Sequence, residues 1–132
     1  MAAPTIYLSR LIGVVALIIA AAMLAEKPVF VATAQLVLRD GALMLVLGIV
    51  GVVIGAAFVL VHNIWTQGLW PLVVTLIGWM LLLRGVVILL LPPEMAAQFV
   101  AAFDFVDFFY VYAAIPLVIG AYLSLRGFSA RW

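Results

Sequence analysis

The sequence predicts an all-α membrane protein in which four transmembrane helices form two parallel two-span repeats, each with a short re-entrant or interfacial segment. Three observations predict this fold. Apolar residues make up 70% of the 132-residue chain and charged residues only 8%, which leaves too little polar surface to cover a soluble domain. Four apolar runs are long enough to cross a hydrocarbon core of about 30 Å. Matching segments recur 65 residues apart.

Composition also excludes several functions. A net charge of +1 provides no basic surface for nucleic acid. The chain has no cysteine, which excludes disulfides, thiolate catalysis and cysteine-ligated metal sites. We therefore expect the lipid bilayer as the environment, with no metal and no cofactor.

The first span is predicted over residues 5–25. Arg10 followed by fifteen apolar residues also fits a cleaved signal peptide, but we expect the segment to be retained, since starting near Thr5 gives it the length to span. Pro28 prevents the helix from continuing. Residues 29–38 are too short to span and too apolar for a free loop, so they are predicted to be helical or interfacial.

The second span is predicted from Gly41 to Val61, and its glycines follow one another at spacings of seven, three and four residues. This spacing places them on one helix face, where a neighbouring backbone can approach closely. Gly51-x-x-x-Gly55 is a common motif of helix contacts in membranes. We interpret it as packing within the chain, with a dimer interface as the alternative.

The third span is predicted from Trp70 to Leu91, and its 22 residues extend about 33 Å as a helix. Trp65 and Trp70 mark its entry at headgroup level, and two consecutive prolines end it. The connection at residues 62–69 is short, so helices two and three are expected to be antiparallel neighbours. A second short segment then precedes a fourth span, predicted from about Phe105 with a kink at Pro116 and ending near residue 125.

A shift of 65 residues relates the two halves of the chain. It places Leu11-Ile12-Gly13 on Leu76-Ile77-Gly78, Pro28 on Pro93, and Val53-Ile54-Gly55-Ala56 on Val118-Ile119-Gly120-Ala121. Two spans per half make the repeats parallel, related by an axis along the membrane normal. We predict one four-helix domain over residues 1–132, with repeats at about 5–65 and 70–130. The glycines expected to pack the helices are Gly48, Gly51, Gly55, Gly78 and Gly120.

Basic residues in the short connections predict the orientation. Arg10, Arg126 and Arg131 lie on one side of the predicted bundle, and Lys27 and Arg39 on the other. The positive-inside rule counts basic residues only, so three against two places both termini in the cytoplasm.

Arg84 is a charge deep inside a predicted span, about 12 Å from the proline end of the helix and about 20 Å from the Trp70 end. An unpaired charge at this depth costs at least ~2.5–3.5 kcal/mol. By depth, Asp107 and Asp104 are the closest acidic partners. We favour a buried ion pair that locks helix three to helix four. An anion or substrate contact is the first alternative, and a guanidinium that reaches the headgroups is the second.

His62 and Asn63 follow helix two beside Trp65, and together with Trp70 they are predicted to be interfacial. A histidine at this position also suits haem ligation or proton relay. The chain has one histidine, whereas b-type haem normally needs a pair, so haem would require a symmetric dimer. We favour a histidine that caps the helix or contacts headgroups.

The densest aromatic stretch, FDFVDFFYVY at residues 103–112, is predicted to be an interfacial belt combined with packing, and a quinone or lipid slot is the alternative. The sequence contains no paired carboxylates within a span, no nucleophile beside a base and no glycine loop for phosphate. We therefore predict that the protein is not an enzyme.

Residues 62–92 contain the pattern H-N-x-W, then T-L-x-G-W, then a basic residue before glycine. The pattern resembles a motif of small, uncharacterised four-span bacterial inner-membrane proteins, and the resemblance implies that location but no activity. The glycine-rich two-span repeat with Pro28 and Pro93 is more loosely similar to the HdeD-like membrane family of acid resistance. Small multidrug transporters also have four spans, but they need an acidic residue within helix one, and this chain has none before Glu26.

Two function classes fit these observations. The first is a small accessory or assembly protein that packs against itself or a larger membrane complex. The alternative is a small homo-oligomeric transporter or channel in which Arg84 lines the path. Four spans with little polar lining are too few for a pore within one chain, so transport would require a dimer or a larger oligomer. We favour the accessory role.

Overall fold

The computed structural model of the chain describes residues 3–102 and 107–130. Over these residues the protein is all-α, and its helices are α1 (Ala3–Ala25), α2 (Lys27–Arg39), α3 (Gly41–Val61), α4 (Leu69–Leu90), α5 (Pro93–Ala101) and α6 (Phe109–Ser129). Four of them, α1, α3, α4 and α6, are long and apolar enough to cross a membrane. The predicted class, an all-α membrane protein with four transmembrane helices, is confirmed.

Local chemistry determines where several helices begin. Pro28 lies in the first turn of α2, where a missing N–H leaves no helix bond unmade. Asp40 caps α3, because its carboxylate accepts hydrogen bonds from the backbone N–H groups of Ala42 and Leu43 at 3.0 and 3.2 Å. Gly68, just before α4, has a φ of 107°, a left-handed conformation that favours glycine. A single residue separates α2 from each neighbouring span, Glu26 on the α1 side and Asp40 on the α3 side.

The two short helices, α2 and α5, contain 13 and 9 residues. At 1.5 Å per residue they extend about 20 and 14 Å, which is too short to cross a bilayer. The residues predicted to be helical or interfacial, 29–38, lie within α2.

The predicted start of the fourth span near Phe105 is wrong. α6 begins at Phe109, after a turn at residues 107–108, and continues to Ser129. In its last turn, the carbonyl oxygen of Gly127 accepts a hydrogen bond from Nε of Arg10 on α1 at 2.8 Å. Pro116 lies inside α6, and the helix continues on both sides of it. The kink stays a prediction.

The spans pack as two pairs, α3 with α4 and α1 with α6. In the first pair Gly48 meets Leu89 and Gly55 meets Leu82, so residue numbers rise in one helix as they fall in the other. α3 and α4 are therefore antiparallel neighbours, as their short connection predicted.

Glycines allow the backbones of each pair to approach closely. A methyl group at Gly85 would lie 2.6 Å from the backbone nitrogen of Val52, too close for any side chain. The five glycines singled out from the sequence all line these seams: Gly48, Gly51, Gly55 and Gly78 between α3 and α4, and Gly120 between α1 and α6.

Contacts in the two seams correspond at the 65-residue offset. Gly55 meets Leu82 in the α3–α4 seam, and Gly120 meets Leu17 in the α1–α6 seam. Gly120 follows Gly55 by 65 residues, and Leu82 follows Leu17 by the same number. Each half of the chain therefore packs its first span on the second span of the other half.

The described core has three parts. At one end, which we call the His62 end, Ile6, Leu8, Trp70, Val74 and Leu123 form a buried cluster that joins both helix pairs. We call this cluster the apolar seal. At the opposite end, the Pro92 end, two separate clusters pack around Met23 of α1 and around Ile88 of α4. The two helix pairs are thus joined tightly at the His62 end.

Candidate functional site

His62 lies at the centre of a buried hydrogen-bond cluster. It follows the last residue of α3, and its side chain is 1% exposed. Its Nε2 lies 2.8 Å from the hydroxyl of Thr5 on α1, and its Nδ1 lies 3.1 Å from the hydroxyl of Thr75 on α4. His62 is the C-cap of α3, as predicted, and its backbone N–H donates to the carbonyl oxygen of Phe58. The predicted alternative of a headgroup contact is wrong, because hydroxyl groups from two other helices pair both ring nitrogens and allow burial. The imidazole thus ties three helices together.

The hydrogen bonds of Thr75 favour one of the two neutral tautomers of the ring. Its Oγ1 accepts from the N–H of Ile64 at 3.0 Å and donates its only proton to the carbonyl of Ile64 or of Pro71, at 2.9 and 3.0 Å. Oγ1 then accepts from Nδ1–H of His62, and the bare Nε2 accepts from the hydroxyl of Thr5. A neutral imidazole with its proton on Nδ1 pairs all of these groups.

Burial favours the neutral form of His62. Removing a charged imidazole from water is unfavourable, so burial lowers the pKa of His62 from its ordinary value of 6.5; a backbone hydrogen bond has a smaller effect in the opposite direction. The charged side chains that the structure describes at this end are both cations, Arg10 on α1 and Arg126 on α6. No carboxylate among the described residues at this end favours the imidazolium.

Trp70 is also buried, and its position at headgroup level stays a prediction. Its indole Nε1 donates to Oγ of Ser9 at 2.6 Å, and the side chains are 7% and 0% exposed. Burial is possible because Ser9 pairs the one polar atom of the indole, while the ring packs with Val74 and Leu123 in the apolar seal.

Asn63 and Trp65 remain exposed, and they form a second set of bonds outside the cluster. Oδ1 of Asn63 accepts from Nε1 of Trp65 at 2.6 Å and from Nε1 of Trp79 at 3.2 Å. These bonds fasten the connection at residues 62–68 to α4. In the H-N-x-W pattern the histidine therefore forms buried hydrogen bonds with α1 and α4, and the asparagine forms exposed hydrogen bonds with two tryptophans.

Arg10 fastens α6 to α1 at the same end. Its Nη2 donates to the carbonyl oxygen of Ala130 at 3.1 Å, in addition to the bond from Nε to Gly127, and its guanidinium lies 5.2 Å from the ring centre of Phe128. These contacts of Arg10 were not predicted from the sequence. One sequence feature does indicate polar contacts at this end of α1. Thr5 and Ser9 are two polar side chains four residues apart on one face of an apolar helix.

Arg84 is exposed on α4, and no carboxylate in residues 3–102 and 107–130 forms an ion pair with it. Asp107 is exposed in the turn before α6, and α6 packs along α1, with its contact to α4 in the apolar seal at the opposite end of the helix. The favoured ion pair of Arg84 with Asp107 is therefore absent, because the two residues belong to different helix pairs. Asp104, the other predicted partner, lies outside the described residues. Arg84 instead borders a small cavity together with Leu47, Gly51, Leu81, Gly85 and Ile88.

The aromatic stretch at the Pro92 end is only partly described, since residues 103–106 lie outside the described ranges. Phe109 is 1% exposed and packs with Met23 and Ala113. The ammonium of Lys27 lies 5.5 Å from the ring centre of Phe109 and 4.6 Å from that of Tyr110. The described part of the stretch thus packs α6 against α1 and the start of α2.

The described ranges contain no group of three His, Asp or Glu side chains placed to hold a metal ion. Comparison with known proteins finds no matching family model, no matching curated protein and no matching solved structure. The resemblance of residues 62–92 to small bacterial inner-membrane proteins therefore stays a prediction.

Proposed function

We propose that the protein is a small accessory or assembly protein of the bacterial inner membrane that packs against itself or a larger membrane complex. Its four apolar spans make it an integral membrane protein. The observation that carries the proposal is how the buried polar side chains are used. Thr5, Ser9, His62 and Thr75 all form hydrogen bonds that hold one helix to another or to its connection. Such use favours a structural role over catalysis.

The outer face of α3 offers a surface for assembly. Of its 21 residues only Met44, Gly48 and Gly55 are buried. Val46, Val50 and Val53 are 44–62% exposed and lie on the side of the helix opposite the α4 seam. Valine has one strongly preferred side-chain conformation in a helix, so little conformational entropy is lost when such a face packs on another helix.

The apolar seal argues against the alternative of a transporter or channel. Any path along the interior past Arg84 meets the seal at the His62 end, where Val74 and Leu123 are each 0% exposed. Transport would require these side chains to move apart and the hydrogen bonds of the His62 cluster to break or move with them. An accessory role needs no such opening.

The proposal also includes orientation and internal repetition. The excess of basic residues at the His62 end supports placing both termini in the cytoplasm. The resemblance of residues 62–92 supports the bacterial inner membrane. The matched contacts of Gly55 with Leu82 and of Gly120 with Leu17 support two parallel repeats over about 5–65 and 70–130.

Single cysteines test the assembly surface cleanly, because the chain has no cysteine of its own. We expect Val50→Cys, on the outer face of α3, to form a disulfide-linked dimer or an adduct with another protein when membranes are oxidised. Leu76→Cys, at an exposed position on α4, is the matched control and is expected to remain unlinked. Mass measurement in mild detergent should give a particle larger than the 14.3 kDa chain. A monomer that is never crosslinked would contradict the proposal, and a bare oligomer that moves ions in proteoliposomes would favour the transporter.

A further inference from the structure

Arg84 lies on the face of α4 that meets the other helix pair. Nearer the His62 end, Trp70, Val74 and Ile77 of this face pack in or against the apolar seal. At 3.6 residues per turn, position 84 continues the same stripe two turns further along the helix. Arg84 therefore lies at the edge of the space between the two pairs.

Among the described residues, no buried cluster joins α1 directly to α4 at the depth of Arg84. Beyond Ile12 and Ile77, the cluster around Met23 of α1 includes residues of α2 and α6, and the cluster around Ile88 of α4 includes residues of α2, α3 and α5. Ile19, which occupies on α1 the position that Arg84 occupies on α4, is 43% exposed, and Leu47 of α3 is 42% exposed. By helix periodicity, Ile19 on α1 and Leu81 and Arg84 on α4 face the space between the pairs, and Leu47 borders the small cavity beside Arg84. We call this space the Arg84 groove.

The chemistry of this groove requires an occupant with two properties. Its walls are aliphatic apart from one guanidinium, so a hydrocarbon chain suits most of its surface. The guanidinium lies six residues, about 9 Å, inside the end of α4, and no described carboxylate compensates it. A cation at that depth is stable only beside an anion or water. The occupant is therefore expected to combine an anionic group with an apolar chain.

We propose that the Arg84 groove binds a phospholipid with an anionic headgroup, whose phosphate contacts the guanidinium while an acyl chain lies between the helix pairs. The groove opens sideways to the bilayer, which supplies such lipids. A second copy of the chain fits less well, because the described carboxylates Glu26, Asp40, Glu94 and Asp107 all lie outside the spans. Arginine also suits phosphate, since its planar donors bind two oxygens at once.

The test uses the full-length chain in mild detergent, loaded with equal amounts of phosphatidylglycerol and phosphatidylcholine carrying the same acyl chains. Native mass spectrometry counts the lipids bound to each chain. We expect phosphatidylglycerol to be preferred about tenfold, which corresponds to about 1.4 kcal/mol. Arg84→Leu should abolish the preference. Ile19→Trp, which fills the groove without changing its charge, should reduce the binding of both lipids.

Two matched variants control for charge and bulk elsewhere. Arg39→Leu removes an exposed cation outside the groove, and Leu60→Trp adds a ring at a position that is 86% exposed. Both should keep the lipid preference. Thermal unfolding of every variant shows which ones retain the wild-type fold, and binding is compared only among those.

Several results would overturn the proposal. They are equal binding of the two lipids by the wild type, a preference that survives Arg84→Leu, or a preference lost equally in Arg39→Leu. Displacement of phosphatidylglycerol by millimolar inorganic phosphate would show that the groove takes an anion without a chain. A lipid-free wild-type dimer that Arg84→Leu converts to monomers would show that Arg84 meets a second copy. Crosslinking through α3 is independent of these outcomes, so the assembly proposal and the lipid site succeed or fail separately.

Discussion

The indole N–H of Trp70 donates to the hydroxyl of Ser9 at 2.6 Å, and this bond joins the early turns of α1 and α4. Both groups are buried, so neither has water as a substitute partner. Ser124 of α6 provides a natural contrast, because its hydroxyl is buried without a hydrogen-bond partner in the described part of the chain. A comparison of the two serines thus shows how much a buried hydroxyl contributes to stability with a hydrogen-bond partner and without one.

Ser9→Ala is expected to lower the free energy of unfolding by about 1–3 kcal/mol, because it leaves the indole N–H of Trp70 unpaired. Ser124→Ala is expected to be neutral or stabilising, because it removes a buried hydroxyl that has no partner. Thermal unfolding in one detergent measures both. Equal losses for the two variants would contradict the importance of the Ser9–Trp70 bond.

His62 predicts a pH dependence of stability with a definite sign. Its pKa is lowered in the folded protein, so below about pH 6.5 the unfolded chain binds more protons than the folded one. Stability is therefore greatest above pH 6.5 and falls as the pH decreases towards the lowered pKa. We expect the melting temperature of the wild type to fall between pH 7.5 and 5.5, and that of His62→Gln to change much less. The same slope in both proteins would assign the effect to other groups.

Gly51 and Gly55 belong to one motif but should respond differently to alanine. A methyl group at Gly55 would lie 2.6 Å from the Cα atom of Leu82, whereas one at Gly51 would lie 3.4 Å from the Cα atom of Gly85. We expect Gly55→Ala to destabilise by about 1–3 kcal/mol through overpacking. Gly51→Ala should be neutral or stabilise by up to about 1 kcal/mol, since alanine is the better helix former. Thermal unfolding would contradict this reading if the order were reversed.

Arg84 and Asp107 should act independently. A double-mutant cycle with Arg84→Leu and Asp107→Leu is expected to give a coupling energy within about 0.5 kcal/mol of zero, because the structure forms no bond between them. Arg84→Leu alone should improve insertion of α4 by ~2.5–3.5 kcal/mol on a translocon scale. Stability measurements and a glycosylation assay of insertion provide the two quantities. A coupling energy of about 2 kcal/mol or more would instead support the ion pair predicted from the sequence, since about 1.4 kcal/mol corresponds to a tenfold change in an equilibrium constant.

Topology can be tested at two described positions. Ser129 ends α6 at the His62 end, and Gln98 lies in α5 at the Pro92 end. Reporter fusions that distinguish the cytoplasm from the opposite side should place Ser129 inside and Gln98 outside. Finding both reporters on the same side would contradict the arrangement of four spans with cytoplasmic termini.

The spans were predictable because length and hydropathy are properties of consecutive residues, and all four long helices lie close to the predicted runs. The burial of His62 was not predictable, because its partners Thr5 and Thr75 are separated from it by 57 and 13 residues. The depth of Arg84 follows from residue counting, but its partner depends on which helices pair. That choice depends on glycine seams between distant segments, which no local pattern reveals.

Because Arg10 binds the carbonyl groups of Gly127 and Ala130, α1 depends on a helix that is synthesised much later, α6. Their 117-residue separation corresponds to roughly 6 to 23 seconds of translation at about 5–20 residues per second. During that interval α1 is in the bilayer without its glycine-lined partner. Although each half of the chain has the same order of helices, neither half contains a complete seam. The α3–α4 seam can form once α4 has been made, whereas the α1–α6 seam has to wait for α6.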